Sequence, residues 1–513
     1  MPSKERMAGS GQVSNFGPDN PKEWETFTSS SISTLVNWLD FNDTEWITTA
    51  TVNPGNPLAY YNMEEGGSGT TLTDRSQEGA GLNGVISNGA WSTDEKKSGT
   101  YSLEFNGSST SVEIDELCDD MVDVGWSVGF WVMTADTSTA EKTIFCINSN
   151  TSTIRVWLGM TGGYVKVWDT AYRGYEWDRQ INDTEWHHIA MVYIDGTPGI
   201  YRVYIDGALD TTYENASLSV GASDLFTLGA YYSGGSLTSF WDGYMDDVVV
   251  FDSAITSQQV KDLYNNGGTP PDLTSATIAA NDVVLQAVCK VTDREWGPFY
   301  GHPAMAPIWE TKNGKKAAKF LRGEYLTGSL TAGSYTQPTT IITALQLDST
   351  GTLTQQEYEH IYDGDDATYR QLLYRQQDDL LAWAGTTNFT MDKTQHTSGS
   401  LDIVSVGFNQ RGSYMNAYIT GSTIRNSNTN IGAAALQGFT IGARYTIQTS
   451  RGPNRFSGSV AEVLIFDDDI SMDDHLLATT YLADKWKIFK EENIDAILEP
   501  DDTPLSTTFD ILD

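Results

Sequence analysis

Residues 185–196, EWHHIAMVYIDG, are apolar on both alternating sets of positions. Ile189, Met191 and Tyr193 form one set, and Ala190, Val192 and Ile194 the other. A strand with two apolar faces suits the inside of a β-sandwich, and Asp195-Gly196 is a turn signal. Residues 200–207, IYRVYIDG, end in the same Asp-Gly chemistry, so the two runs predict a hairpin. WSVGFWVM places Val128, Phe130 and Val132 on one face, a core strand. TIRVWLGM, YVKVWDT, LFTLGA and YMDDVVVF read as further strands. Three stretches carry helical spacing instead. Ile32, Leu35, Val36 and Leu39 fall at i, i+3, i+4 and i+7 and predict a short amphipathic helix over about 30–40. Thr256 with Gln259 three residues later makes a capping-box pattern, closed by Gly267 and Gly268. Leu476, Leu477, Tyr481, Leu482 and Trp486 predict a longer helix near residue 480.

The strand pattern occurs twice. SLDIVSVGFNQRGSYMNAYITG repeats the hairpin without the Trp and the two His, with Ile189 matched by Ile403 and Gly207 by Gly421, each 214 residues on. Phe105 of LEFNG is matched by Phe320 of AKFLRG at 215, Phe226 of LFTLGA by Phe439 of GFTIGA at 213, and Met245 by Val460 at 215. Five blocks in one order at a nearly fixed offset predict a duplicated domain, because a solenoid repeats every 20–50 residues.

W-H-H-I-A followed by V-Y-I-D-G resembles the laminin-G-like branch of the concanavalin A-like lectin/glucanase superfamily. LAYYNMEEG, TTLTDRS and YSLEFNGSSTSVEI are similar to its opening strands, and YLADKW to its closing helix. The expected fold is all-β: two tandem antiparallel β-sandwiches of concanavalin A-like jelly-roll type. The boundaries are an N-terminal arm and amphipathic docking helix over 1–55, sandwich 1 over 56–268, the linker TPPDLTS over 269–275, sandwich 2 over 276–489, and an acidic tail over 490–513.

A net charge of −37 disfavours nucleic acid and anionic membranes as partners, both of which need positive surface. Three cysteines, Cys118, Cys146 and Cys289, are too few and odd in number for a disulfide framework and read as buried thiols. The first residues show no export signal, and no apolar run is long enough to span a bilayer.

Four constellations could carry chemistry. Glucan-cleaving members of the resembled superfamily set two glutamates on one strand face. Here Glu113, Asp115 and Glu116 stand as E-x-D-E, which turns the glutamates to opposite faces, so no enzyme is expected. His187 and His188 are adjacent on a strand, cannot share a metal, and are expected to be structural. The resemblance implies a calcium ion at Asp246 with Glu65 as a neighbour, in the first sandwich alone, because Ala461 stands where the repeat would need the acid. Trp168, Tyr172, Arg173, Tyr175, Trp177, Tyr231, Tyr232 and Trp241 form an aromatic and polar set suited to stacking on sugar rings, or to packing on another subunit.

Ectodomain-type modules without an export signal, in an acidic chain with terminal docking elements, point to a virion structural protein: a capsid decoration, head-fibre or tail component exposed on the particle surface. Its expected partners are other virion proteins, held through the arm and tail in a multi-copy or homo-oligomeric assembly, and a glycan. A secreted or cell-surface bacterial adhesin is the alternative, and a glycoside hydrolase the third reading.

Overall fold

A computed structural model describes residues 27–488 apart from short internal stretches, the longest being 349–357, 392–398 and 445–455. The polar arm before residue 27 and the tail after residue 488 lie outside the described residues. Among these, no helix is long and apolar enough to cross a membrane.

The first sandwich is built as its alternation predicts. One sheet orders strands Ala208–Ala216, Gly199–Ile205, His187–Ile194, Trp126–Met133, Asp242–Phe251, Ser102–Asn106 and Ala90–Ser92. Ala59–Tyr61 pairs with the same side of Asp242–Phe251 further along. The facing sheet orders Tyr175–Gln180, Tyr164–Asp169, Thr153–Thr161, Lys142–Ser149, Leu225–Leu228, Ser111–Ile114, Gly84–Ser87 and Thr71–Leu72. Phe105, Phe130, Phe145, Leu158, Ile189, Met191 and Phe226 fill the space between.

The second apolar face of the WHH strand has its own partner. Ala190, Val192 and Ile194 pack with Val260 and Leu263 of helix Ser257–Tyr264, and with Leu273, Ile278, Ala304 and Met305 from the following part of the chain. Thr256 caps that helix with the reciprocal Gln259 bonds of a capping box.

The second sandwich begins earlier than expected. The predicted helix over 30–40 is a strand, Leu35–Asp40, antiparallel to Ser457–Phe466. Ile47–Val52 follows and pairs with Asn281–Val288. Residues 27–52 therefore belong to the second sandwich, and the first sandwich is an insertion between two of its neighbouring strands. The arm-and-helix boundary at 1–55 and the start of sandwich 2 at 276 are both corrected. A short helix buries one stripe and is marginal alone. The strand buries both faces: Leu39 enters the sandwich core, and Leu35 and Trp38 pack under helix Met472–Trp486. Tertiary pairing outweighs the local spacing.

The duplication extends to register. Phe105 lies opposite Gly243 and Phe320 opposite Gly458. A Cβ on Gly229 would sit 2.2 Å from the Phe105 ring, and one on Gly442 would sit 2.5 Å from Phe320. Both glycines have positive φ, so each repeat keeps a glycine where a buried phenylalanine needs its space. Ile189 and Ile403 occupy matching central strands, opposite Phe130 and Ala344.

Both sandwiches also bury an acid at the bulge entering the last strand. In the first, the Tyr60 hydroxyl donates to Asp247 at 2.6 Å. In the second, Glu462 accepts from Trp38 Nε1 at 2.6 Å, Lys485 Nζ at 2.8 Å, Trp486 Nε1 at 2.9 Å and the Tyr481 hydroxyl. Tyr60 and Trp38 sit in matching opening strands, opposite Val249 and Leu464. The conserved pairing within the repeat is thus Asp247 with Glu462. Asp246 has Ala461 as its counterpart, as the sequence indicates.

Candidate functional site

One row of side chains crosses the outer face of the eight-stranded sheet of the first sandwich. Successive cross-strand partners are Thr71, Val85, Glu113, Thr227, Cys146, Trp157 and Trp168. Alternation drives this. In Tyr164–Asp169 the side chains of Val165 and Val167 go to the core while Tyr164, Lys166 and Trp168 are half-buried on the other side. Trp157 donates Nε1 to Thr143 Oγ1 at 2.9 Å, and its ring lies 5.3 Å from that of Trp168.

A two-stranded hairpin, Tyr231–Ser233 with Ser236–Thr238, folds over the middle of this row. Asn148 holds it by the backbone: Nδ2 donates to Tyr232 O at 3.2 Å and Oδ1 accepts from Tyr232 N at 3.4 Å. The Tyr232 hydroxyl donates to Glu113 at 3.0 Å, and the Tyr231 ring stands edge-on to Trp157 at 6.5 Å. Burial, then the Glu113 bond and the charges of Glu113 and Asp115, raise the Tyr232 hydroxyl above its ordinary pKa. The hairpin thus holds Tyr231 against Trp157 and Tyr232 on Glu113, with Trp168 on the strand beyond Trp157. Arg155 and Asp224 form an ion pair at 3.1 Å elsewhere on this sheet.

Residues 106–261 match the laminin-G family described as the concanavalin A-like lectin/glucanases superfamily. The match lies within the first sandwich and spans less than a third of the chain. Similar solved structures include a native heptameric SAP-like pentraxin from Limulus polyphemus, at 19% identity over 31% of this chain and 82% of that chain, TM-score 0.26. Domain 4 of AbnA, a GH43 extracellular arabinanase from Geobacillus stearothermophilus, matches at 18% identity over 45% of this chain and 97% of that one, TM-score 0.27. Mouse laminin alpha1 domains LG4-5 match at 11% identity over 67% and 82%, TM-score 0.22. No curated protein matches the chain.

The first sandwich keeps part of the predicted sugar-binding set on one face. Trp168, Tyr231 and Tyr232 share the outer face. Trp241 is corrected: it is 0% exposed within the core and cannot stack on a ligand. It ends the hairpin loop, and its burial anchors that loop to the sandwich. Tyr172 and Arg173 lie outside the described residues, as do the side chains of Tyr175 and Trp177. The repeat contributes a residue that sequence reading passed over. Trp383 pairs with Leu372 as Trp168 pairs with Trp157, and the Arg370 guanidinium lies 5.2 Å from its ring. The 215-residue offset between the two tryptophans was the available signal.

The pair Asp246 and Glu65 does not fit a calcium ion. Asp246 is fully buried, with Oδ2 accepting from Lys97 N at 2.9 Å and Ser98 N at 3.1 Å, and Oδ1 from Asp247 N at 2.9 Å. Three N–H groups point at the carboxylate where a cation ligand would need open oxygens. Glu65 Oε1 takes Thr73 N at 3.1 Å and Arg75 at 3.3 Å; its Oε2 has no hydrogen-bond partner, but Asp246 does not share the site with it. Among the described residues no group of three or more His, Cys, Asp or Glu could hold a metal.

Burial and the neighbouring Asp247 push the Asp246 carboxyl up to about 8. His187 bridges Asp206 at 3.0 Å and Asp183 at 2.9 Å. Burial opposes its charge, and the two carboxylates outweigh that and raise its pKa. His188, buried against Trp131 and Tyr264, is pushed down to about 4 and stays neutral. Both histidines thus have structural surroundings. For both Asp246 and His187 the folded state holds its proton more tightly than the unfolded chain. Stability is then full below the unfolded pKa and is lost as pH rises through the folded one. The first sandwich should melt highest in mild acid and fall across about pH 4 to 8, the window set by Asp246. Asp247→Asn should flatten that fall, and a chelator should leave the melt unchanged. A steeper fall in Asp247→Asn, or a chelator-dependent melt, would contradict this.

Of the E-x-D-E residues, Glu113 is on a strand and bound by Tyr232. Glu116 lies beyond that strand in left-handed backbone ahead of the short helix Leu117–Met121. The two do not form a facing pair. All three cysteines are buried and free.

Proposed function

We propose that the first sandwich is a non-catalytic carbohydrate-binding module whose ligand lies against the hairpin and stacks on Trp168. The observation that carries this is the half-buried Trp168, backed by Trp157 and bordered by the Tyr231–Tyr232 edge. A ring packed against a second ring, tilted 51° to it, offers a preorganised apolar face. The tyrosine edge of the hairpin, with Glu113 bonded to the Tyr232 hydroxyl further along the row, offers the few polar groups that orient a ligand. Screening the full chain on a glycan array, then titrating a positive, tests it. Trp168→Ala should weaken binding roughly tenfold or more, from about 1.5–3 kcal/mol of lost aromatic burial, while the first sandwich still unfolds cooperatively. Unchanged affinity in that variant would remove the site.

We further propose that the chain displays this module on a virion surface, as a decoration, head-fibre or tail component, with a bacterial adhesin as the competing role. The net charge of −37 supports an outward-facing position, where like charge keeps particles apart. The Ile32, Leu35, Val36 and Leu39 segment is structural in the second sandwich, so anchoring to neighbours falls to the ends of the chain. Detection of the chain by mass spectrometry in purified particles is the expected result. Its recovery from uninfected bacterial cells would favour the adhesin.

A further inference from the structure

We infer that the second sandwich closes a covalent cross-link on itself, an amide between the Lys485 amine and the Asp40 carboxyl, with Glu462 moving the proton. Asp40 and Glu462 are register partners on the antiparallel strands Leu35–Asp40 and Ser457–Phe466, so their side chains share a face. Helix Met472–Trp486 packs over that face, and Lys485 in its last turn reaches both acids. Lys485 Nζ lies 2.7 Å from Asp40 Oδ2 and 2.8 Å from Glu462 Oε2. The Lys485, Asp40 and Glu462 side chains are 3%, 4% and 0% exposed, among the rings of Trp38, Tyr481 and Trp486.

Burial opposes the charge of Lys485, and Glu462 and Asp40 outweigh it and raise its pKa. The amine therefore rests as an ammonium and needs a base before it can attack. Glu462 is placed to be that base. Burial first, then the Asp40 charge, raise its carboxyl against the pull of Lys485. The Tyr481 hydroxyl and the indoles of Trp38 and Trp486 hold it in position. Glu462 takes one ammonium proton and returns it to the Asp40 oxygen that departs. The freed amine attacks Asp40 Cγ, the C–N bond forms, and that oxygen leaves with two of the three ammonium hydrogens. Ammonium and carboxylate thus become an amide and one water. Glu462 ends as it began, and no oxidant or co-reactant is consumed.

Two features favour the forward direction. The reacting groups are held in contact, which replaces an encounter in solution. Buried ions are costly to desolvate and an amide carries no charge, while the covering rings keep out the water that the reverse reaction needs. Lys290 is the competing amine. It lies 3.3 Å from Asp40 Oδ2 but 2.8 Å from Asp43, and it is 18% exposed. The bond ties the opening strand of the second sandwich to its closing helix across the inserted first sandwich. Tension on the two chain ends then bypasses everything between Asp40 and Lys485.

The test is the intact mass of the purified full chain in denaturant, followed by a peptide map. The chain should be one water lighter than its sequence, and the map should hold a branched peptide joining the Asp40 and Lys485 segments. Lys485→Arg, which keeps the positive charge, should return the mass to its full value. Glu462→Gln should leave most of the chain unlinked while calorimetry shows that its second sandwich still melts. The wild-type mass decides the matter even if a variant fails to fold. A folded chain still at full mass after days of incubation would overturn the inference. So would a branch at Lys290, or a water-light chain with no branched peptide, the mark of a cyclised aspartate. Cross-linking of Glu462→Gln at the wild-type rate would overturn the role given to Glu462.

Discussion

A chain lacking residues 27–45 is expected to lose its second sandwich while the first still melts cooperatively. The deleted stretch carries Phe27, Ile32, Leu35, Trp38, Leu39 and Phe41, all buried. Phe27 stacks on Tyr481 at 4.2 Å, Trp38 meets Tyr481 edge-on at 5.9 Å, and Phe41 enters the core. Each such side chain contributes about 1.5–3 kcal/mol by burial, so six together rival the whole stability of an ordinary domain, about 5–15 kcal/mol. The deletion also removes Asp40 and the Trp38 N–H, leaving Glu462 and Lys485 with part of their buried network. Trp38→Ala alone should cost about 3–5 kcal/mol. Calorimetry of both variants checks this. A deletion variant with two intact transitions would show that the opening strand is dispensable.

The second large effect is expected at the junction of the sandwiches. Arg202, on the strand Gly199–Ile205, is 0% exposed; Nη1 donates to Ala304 O at 2.9 Å and Nη2 lies 3.5 Å from Glu324. Glu324 also accepts from Ser257 of the intervening helix and from Leu321 N at 2.6 Å. Charges this deep are costly when one partner is removed. Arg202→Met should destabilise by about 3–5 kcal/mol because Glu324 is left buried without its cation. Arg202→Met with Glu324→Gln should recover part of that loss, since the uncompensated charge is gone while one oxygen remains to accept N–H groups. Denaturant unfolding of the single and double variants reads the difference. A double variant no more stable than Arg202→Met would mean that the charge is not the cause.

The sequence showed both sandwiches because their signals are local and repeated. Alternation in WSVGFWVM, the WHH hairpin and the Thr256–Gln259 cap each need no distant partner. The opening strand of the second sandwich was hidden for the opposite reason. LVNWLD pairs with residues more than 400 positions away, across an inserted domain, and its four apolar positions also satisfy a helical period. The buried acids depend on partners distant in the chain. Asp247 and Glu462 are a matched pair, each bonded to an aromatic side chain of its opening strand. Aromatic content located the candidate face, but spacing could not separate Trp168 from Trp241. One lies on a strand's outer set and the other ends a loop that plugs into the core.

Hydrogen–deuterium exchange of the full chain, with and without a saccharide that binds, locates the site most directly. Added ligand should slow exchange in residues 153–169 and in the 231–238 hairpin, and should leave the Lys97–Ser98 turn at Asp246 and the strand Asp379–Trp383 unchanged. Protection confined to the Asp246 end or to the second sandwich would contradict the assignment of the Trp168 face.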